Sequence, residues 1–169
     1  MAAQKIPRET LGLAGEFAVA SELCKRGVYA QLTLGNRKRT DLLVDNGTDV
    51  LRVEVKSKQG PEWPGVKGIS RDDAIIVFVD FAAKSVLQRP DFYILTFKDW
   101  KAFVRKKRRD SPPGSVELTK DFSLVWNDGK YVGVGIRPKH IDKHFEAWGK
   151  FGLPDSLDAG VLEDLPRND

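Results

Sequence analysis

Apolar and charged residues alternate from Leu51 to Lys56, in the stretch LRVEVKSK. Neighbouring side chains of a β-strand point to opposite faces, so Leu51, Val53 and Val55 share one face of a predicted strand. The other face carries the charged residues Arg52, Glu54, Lys56 and Lys58. The pattern therefore predicts one face for a core and a second face that places a carboxylate beside an ammonium group.

Helical and strand patterns alternate along the rest of the chain. A helix is predicted over 9–27, with Thr10 as its N-cap and Gly27 at its end. Asn46-Gly47 is a strong hairpin signal and joins two strands within 41–57. Further strands are predicted at 28–34, 74–81, 91–97 and around 131–137, and further helices at 98–109 and 138–151. This order predicts a mixed α/β fold, with a β-sheet flanked by helices.

Composition favours one folded domain. The chain has 169 residues, 41% of them hydrophobic and 31% charged, and no apolar run reaches the roughly 18 residues that span a membrane. We expect a domain over 1–153, followed by an acidic, flexible tail over 154–169. Cys24 is the single cysteine and the first residues do not form a secretory signal, so a cytoplasmic location is expected.

The charge distribution favours a polyanionic partner. The tail carries a net charge of −4, which leaves +8 on residues 1–153 out of +4 for the whole chain. A basic body indicates nucleic acid as the partner, although solubility alone also explains such a charge.

The hairpin geometry brings two acids together. If the loop is even-numbered with Gly47-Thr48 at its tip, Asp41 lies opposite Glu54, with Cβ atoms about 5 Å apart. Two carboxylates this close repel each other unless a positive group lies between them, and a divalent cation with oxygen ligands fits better than Lys56 alone. An odd-numbered loop would shift the register and separate the two acids.

Glu16 is a third candidate acid, because it is the only charged residue between Leu11 and Ala20. Its helical neighbours are apolar or glycine, so this face is expected to pack on the sheet and to draw the carboxylate towards the interior. A buried carboxylate needs a partner, which a metal or Lys56 would supply. An ordinary exposed helix acid is the alternative.

These residues resemble the D-x(n)-E-x-K signature of the PD-(D/E)XK nuclease superfamily. Asp41 is followed, after twelve residues, by Glu54-Val55-Lys56, and GEFAVASELCKRG with Glu16 resembles the first helix of the Holliday junction resolvase-like and restriction endonuclease-like branches. The resemblance covers roughly residues 10–97 and matches the helix-then-hairpin order of the family core. Thr40 stands where the family often has proline.

The resemblance implies a restriction endonuclease-like fold with an αβββ core and a metal-dependent DNA endonuclease activity. Asp41, Glu54 and the Val55 carbonyl would hold Mg²⁺, or Mn²⁺ as an alternative, with Glu16 as a direct or water-mediated ligand. Lys56 would orient the attacking water and stabilise the charge that develops on the phosphate. A homodimer is expected, since two strands are cut with one site per subunit. Junction-resolving, restriction and mobile-element roles stay open.

Basic residues near the hairpin and on the second helix are the candidate DNA contacts. The first group is Arg37, Lys38, Arg39 and Lys58, and the second is Arg105, Lys106, Lys107 and Arg108. Phosphate contact is the functional interpretation. A solvated loop is the alternative for the first group, and complementing the helix dipole is the alternative for the second.

Three remaining features favour structural interpretations. Trp63 is expected to pack on the domain rather than stack on a base. His140 and His144, four residues apart, are expected on a solvated helix face rather than at a metal, and Cys24 is expected to be buried. Two rival functions also remain: a non-catalytic nucleic-acid-binding module, and a protein-interaction domain with an incidental acidic cluster.

Overall fold

The structure, a computed structural model, describes residues 5–33, 40–127 and 129–153. Its helices are α1 (Arg8–Lys25) and α2 (Phe97–Arg109). Its strands are β1 (Tyr29–Leu32), β2 (Leu42–Asp45), β3 (Val50–Lys58), β4 (Trp63–Val66), β5 (Ala74–Asp80), β6 (Asp91–Thr96), β7 (Val116–Leu118), β8 (Leu124–Trp126), β9 (Tyr131–Val132) and β10 (Val134–Ile136). Neither helix of this described part is long and apolar enough to cross a bilayer.

A five-stranded mixed sheet forms the centre of the fold, in the order β1-β2-β3-β5-β6. β3 and β5 are parallel, and the other neighbours are antiparallel. β4 pairs with β10, and β7, β8 and β9 form a separate small sheet. The predicted α/β class and the order of helix, strand and hairpin are confirmed.

The hairpin has the register that the even-numbered loop predicts. Leu42 pairs with Val53 and Asp45 pairs with Val50, which is the pairing that a loop with Gly47-Thr48 at its tip requires. Gly47 has a φ of 86°, which the first central position of a tight hairpin turn requires. The Asn46 side chain accepts hydrogen bonds from the backbone N–H groups of Thr48 and Asp49, at 2.9 and 2.8 Å.

Each face of the sheet has its own hydrophobic core. On one face, Val19 and Leu23 of α1 pack with Val53 and Val55 of β3. On the other, Trp100 and Val104 of α2 pack with strand residues such as Phe78. Every residue of β5 is buried, as its continuous apolar sequence predicts. The charged face of β3 therefore points towards the α2 side.

The predicted last helix over 138–151 is wrong. The chain there forms three short 3₁₀ turns, Pro138–His140, Asp142–His144 and Trp148–Phe151. Ile141 joins the core on the α2 side, whereas Trp148 and Phe151 join the core on the α1 side. A continuous helix presents one stripe to one core, so the chain must turn here to serve both.

Four local expectations are also settled. Thr10 is not the N-cap, because α1 begins at Arg8 and the Leu11 N–H donates to the Pro7 carbonyl. Cys24 is exposed rather than buried. Trp63 is 1% exposed, so its predicted packing on the domain is confirmed. His144 is buried while His140 is exposed, so the two do not share a solvated helix face. The tail over 154–169 lies outside the described residues.

Candidate active site

Asp41 lies where β2 begins and its pairing with β3 ends. The Asp41 N–H donates to the Val53 carbonyl at 2.8 Å. Beyond this bond β3 continues without β2, and the Val55 N–H donates to Asp41 Oδ2 at 2.6 Å. The side chain of Asp41 thus takes the place of the missing strand, one residue before the first ladder pair of β2, Leu42 with Val53. The juxtaposition of Asp41 and Glu54 stays a prediction, because the Leu42–Val53 pair is the last of the ladder.

Glu54 and Lys56 form an ion pair on the charged face of β3. Lys56 Nζ lies 2.8 Å from Glu54 Oε1. Glu54 is 6% exposed, and its second oxygen, Oε2, is buried without a hydrogen-bond partner in the described structure. A buried carboxylate oxygen in this state is costly unless a cation or donor reaches it. Glu54 lines a cavity of about 210 Å³, which Arg52, Ser70 and Arg71 also line.

Gly15 lets α1 approach β3 closely enough to bring Glu16 to the site. A Cβ atom at Gly15 would lie 1.9 Å from Ser57 Oγ and 3.2 Å from Ser57 Cβ, so any other residue there would force the Ser57 side chain or the helix to shift. Burial raises the pKa of the Glu16 carboxyl, the Asp41 carboxylate raises it further, and the Lys56 ammonium group opposes part of the effect. Glu16 therefore shares an electrostatic environment with both hairpin residues.

The donor set fits a hard divalent cation. The N–H and C=O of one strand residue point to the same side, so the Val55 carbonyl points past the end of β2, towards Asp41. This carbonyl, the Asp41 carboxylate and the unpartnered Glu54 Oε2 are all oxygen ligands of the kind that Mg²⁺ takes. Within the described ranges, no three His, Cys, Asp or Glu side chains are grouped closely enough to hold a metal ion. The fit thus depends on two acids and a carbonyl, with Glu16 further out.

The prediction that Lys58 contacts nucleic acid is wrong. Lys58 is 4% exposed, and its Nζ lies 2.5 Å from Asp80 Oδ1. It also donates to the Gly60 carbonyl at 3.1 Å and lies 4.7 Å from the ring centroid of Trp63. The β4 segment covers this end of β3, so the lysine is an internal counter-ion.

The other predicted DNA contacts divide into two groups. Arg37, Lys38 and Arg39 lie outside the described residues. Arg105, Lys106, Lys107 and Arg108 lie in the last turns of α2. Lys106 pairs with Asp110 at 2.9 Å, and the Arg105 guanidinium lies 5.5 Å from the ring of Phe122. Arg105 and Arg108 line an open cavity of about 600 Å³ with Lys120, so this surface is strongly basic.

Sequence reasoning missed a second cavity beside Lys56. This cavity, the Lys56 cleft, is lined by Arg8, Leu11, Gly12, Lys56, Pro64 and Tyr131 and measures about 550 Å³. Tyr131 belongs to a segment that carries Gly133 and Gly135, where glycine marks close backbone approach. That signal was present, but the strand it approaches was not predicted.

No family model and no curated protein matches the sequence. The structure is similar to that of Hjc, a Holliday junction resolvase from the archaeal hyperthermophile Archaeoglobus fulgidus, with 15% identity, a TM-score of 0.45, and coverage of 83% of this chain and 95% of that one. It is also similar to the bacterial homing endonuclease I-Ssp6803I, with 17% identity, a TM-score of 0.45, and coverage of 90% and 98%. Both are nucleases, the class that the sequence resembles. At this similarity the comparisons say nothing about a substrate, so the functional argument depends on the hairpin and α1.

Proposed function

We propose that the chain is a metal-dependent endonuclease that hydrolyses DNA phosphodiester bonds at Asp41, Glu54 and Lys56. One observation carries the proposal: a buried Glu54 with an unpartnered oxygen lies beside Lys56, on the strand whose Val55 N–H donates to Asp41. A hairpin surface cluster without a function would leave both acids solvated, at little energetic cost. Here the burial of Glu54 is costly, and a bound cation offsets that cost.

The ligands of the cation would be the Asp41 and Glu54 carboxylates and the Val55 carbonyl, with Glu16 acting through a water molecule. Mg²⁺ or Mn²⁺ at this position would polarise a phosphodiester oxygen and lower the pKa of a bound water. The hydrogen bond between the Val55 N–H and Asp41 Oδ2 fixes the orientation of one carboxylate. The close contact at Gly15 holds Glu16 against the hairpin.

Lys56 supplies the positive charge for the reacting phosphate. Its side chain is 37% exposed, so the ammonium group is reachable from solvent while Glu54 holds it in place. A lysine ammonium group is a compact point charge, which suits orienting a water and stabilising a charge that develops in the transition state. The +8 charge of residues 1–153 favours DNA as the partner. Cleavage of both strands would require a homodimer, which belongs to the proposal.

A cleavage assay tests the proposal. Plasmid, four-way-junction and linear DNA are incubated with Mg²⁺ and with the wild type, Lys56→Ala, Glu54→Gln or Lys98→Ala. Lys98 is an exposed lysine in the first turn of α2, so its replacement removes the same charge away from the hairpin. We expect cleavage that needs the divalent ion, falls at least about 100-fold in the first two variants and persists in the third. Equal cleavage by all four proteins would contradict the proposed site.

A non-catalytic DNA-binding module is the second candidate. It is favoured by the finding that the described residues hold no compact group of three metal-ligating side chains. This alternative predicts that the wild type retains DNA in a gel-shift assay but cleaves no substrate with Mg²⁺ or Mn²⁺.

A further inference from the structure

The Lys56 cleft is lined by residues of α1, β3, β4 and β9, and it shares Lys56 with the candidate active site. Lys56 of β3, Arg8 of α1 and Tyr131 of β9 all line it. Arg8 is exposed and forms no ion pair in the described part of the chain. Two cations and two aromatic residues, Tyr131 and Trp63, thus line a cavity of about 550 Å³.

Two glycines place Tyr131 at the cleft. Gly65 of β4 and Gly133 have φ values of 61° and 110°. A Cβ atom at Gly133 would lie 2.7 Å from the Gly65 carbonyl, so the two segments cross at a distance that only glycine permits. The Tyr131 hydroxyl lies 3.6 Å from the position of a Cβ at Gly65. The crossing therefore holds the tyrosine ring beside β4.

Tyr131 is the aromatic residue available to a ligand here. It is 45% exposed, whereas Trp63, which also lines the cleft, is 1% exposed and packs edge-on against Phe78. The Tyr131 hydroxyl makes no hydrogen bond to any residue that the structure describes. Exposed aromatic rings beside cations are the groups that bind single-stranded nucleic acid, through stacking on bases and contact with phosphates.

The size of the cleft selects one nucleotide rather than a duplex. Its volume lies in the range of small-ligand sites, about 300–1,000 Å³. A base in a continuous duplex must leave the stack to reach a side chain in a pocket. Leaving the stack costs a few kcal/mol, and this cost is smallest for a base that is already unpaired.

From this geometry we infer that Tyr131 stacks on an unpaired base in the Lys56 cleft, while Arg8 contacts its phosphate. The preferred substrate is therefore DNA with an unpaired nucleotide next to the bond that is cleaved. The inference rests on the proposed function, because Lys56 defines where that bond lies. It assigns to Tyr131 and Arg8 a substrate-selecting role that the catalytic hairpin does not supply.

A binding experiment without cleavage tests the inference. Duplex DNA with a single unpaired 2-aminopurine, and a fully paired duplex with the same label, are titrated in EDTA with wild type, Tyr131→Ala, Tyr131→Phe and Tyr29→Ala. Tyr29 is 64% exposed on β1 and serves as a matched control. We expect quenched fluorescence for the unpaired base in the wild type. Tyr131→Ala should bind this DNA about 5- to 100-fold more weakly, and the paired duplex nearly as the wild type does.

The two other variants separate stacking from general effects. Tyr131→Phe keeps the ring and should bind as the wild type, and Tyr29→Ala should also bind as the wild type. Equal losses for unpaired and paired DNA in Tyr131→Ala would overturn the inference, as would no loss at all. A loss in Tyr131→Phe as large as in Tyr131→Ala would also overturn it, because the hydroxyl would then be the binding group. Thermal melts of each variant confirm that it is folded.

Cleavage assays distinguish failure of the inference from failure of the proposed function. If the wild type cleaves DNA with Mg²⁺ and Tyr131→Ala keeps the wild-type ratio of rates on unpaired and paired substrates, the inference fails and the nuclease proposal stands. If the wild type quenches the unpaired base through Tyr131 but cleaves no DNA, base stacking stands and the nuclease proposal fails. Absence of binding to both DNAs contradicts both.

Discussion

Lys58→Met tests whether the charged side chain at the C-terminal end of β3 is buried inside the protein. The substitution keeps the length of the side chain but removes the ammonium group that pairs with Asp80. Asp80 is 7% exposed, and its carboxylate also accepts a hydrogen bond from the Ala82 N–H at 2.8 Å. Among the described residues, the variant therefore leaves this buried carboxylate with one neutral donor and no counter-ion.

Removal of one partner of a buried ion pair costs about 3–5 kcal/mol, because the other charge stays buried. For a chain of this size each kcal/mol lowers the melting temperature by about 2–4 °C, so the expected loss is about 6–20 °C. The double variant Lys58→Met/Asp80→Asn removes both charges and should recover more than half of the lost free energy of unfolding. Denaturant unfolding of the wild type, both single variants and the double variant gives the coupling energy.

A small effect would refute this reasoning. If Lys58→Met lost less than about 1 kcal/mol while the folded variant bound DNA more weakly and with a shallower salt dependence, Lys58 would be a surface contact to phosphate. The structure instead predicts an unchanged salt dependence of DNA binding for any folded fraction of the variant.

Three further predictions concern charge. In metal-free buffer at pH 7, Glu16→Gln should raise the free energy of unfolding by up to about 1 kcal/mol, because the neutral amide removes burial of a charge and repulsion from Asp41. Burial lowers the pKa of His144 to about 4. The free energy of unfolding should therefore fall by about 1–2 kcal/mol, after allowance for solvent screening, as the pH drops from 6.5 towards 4. His144→Gln should flatten this dependence on pH. Replacing Arg105 and Arg108 by Gln should weaken DNA binding and reduce the slope of log K against log salt by about 1–2.

Each of these predictions has a contrary result. Because the pKa of Glu16 is raised in the folded protein, its carboxylate destabilises the fold increasingly as the pH rises above 4.5, its ordinary pKa. Below pH 4.5 the carboxyl is protonated in both the folded and the unfolded chain, so Glu16→Gln should no longer raise the free energy of unfolding. A benefit that persists at pH 3.5 would contradict the electrostatic cause. For His144, an equal acid slope in wild type and His144→Gln would assign the slope to other groups. An unchanged salt slope in the double arginine variant would leave helix stabilisation as the role of that cluster.

The hairpin could be predicted from sequence because every signal in it is local. Alternation sets the faces of β3, and Asn46-Gly47 sets the turn, so the pairing of Leu42 with Val53 and of Asp45 with Val50 follows by counting. The apolar surroundings of Glu16 similarly indicated its position against the sheet. These residues depend on neighbours that lie close in the chain or on the simplest long-range pairing.

The remaining features depend on distant packing. Alternation placed Lys58 on the charged face but could not show that Trp63 covers that end of the strand. The spacing of Ile141, Trp148 and Phe151 imitates a helix, whereas the chain actually passes between two cores at the edge of the sheet. Tyr131 reaches the Lys56 cleft only because β10, which follows it in the chain, pairs with β4. The sequence of β4 lies in a stretch whose glycines and prolines predicted a loop. Such contacts are tertiary, and no short window of sequence encodes them.

The most direct test of the metal site is the anomalous scattering of crystals soaked in Mn²⁺. The account predicts a peak bound by carboxylate oxygens of Asp41 and Glu54 and by the Val55 carbonyl, with Lys56 beside it, and loss of that peak in crystals of Glu54→Gln. A peak elsewhere, or no peak at these oxygens at millimolar Mn²⁺, would contradict it.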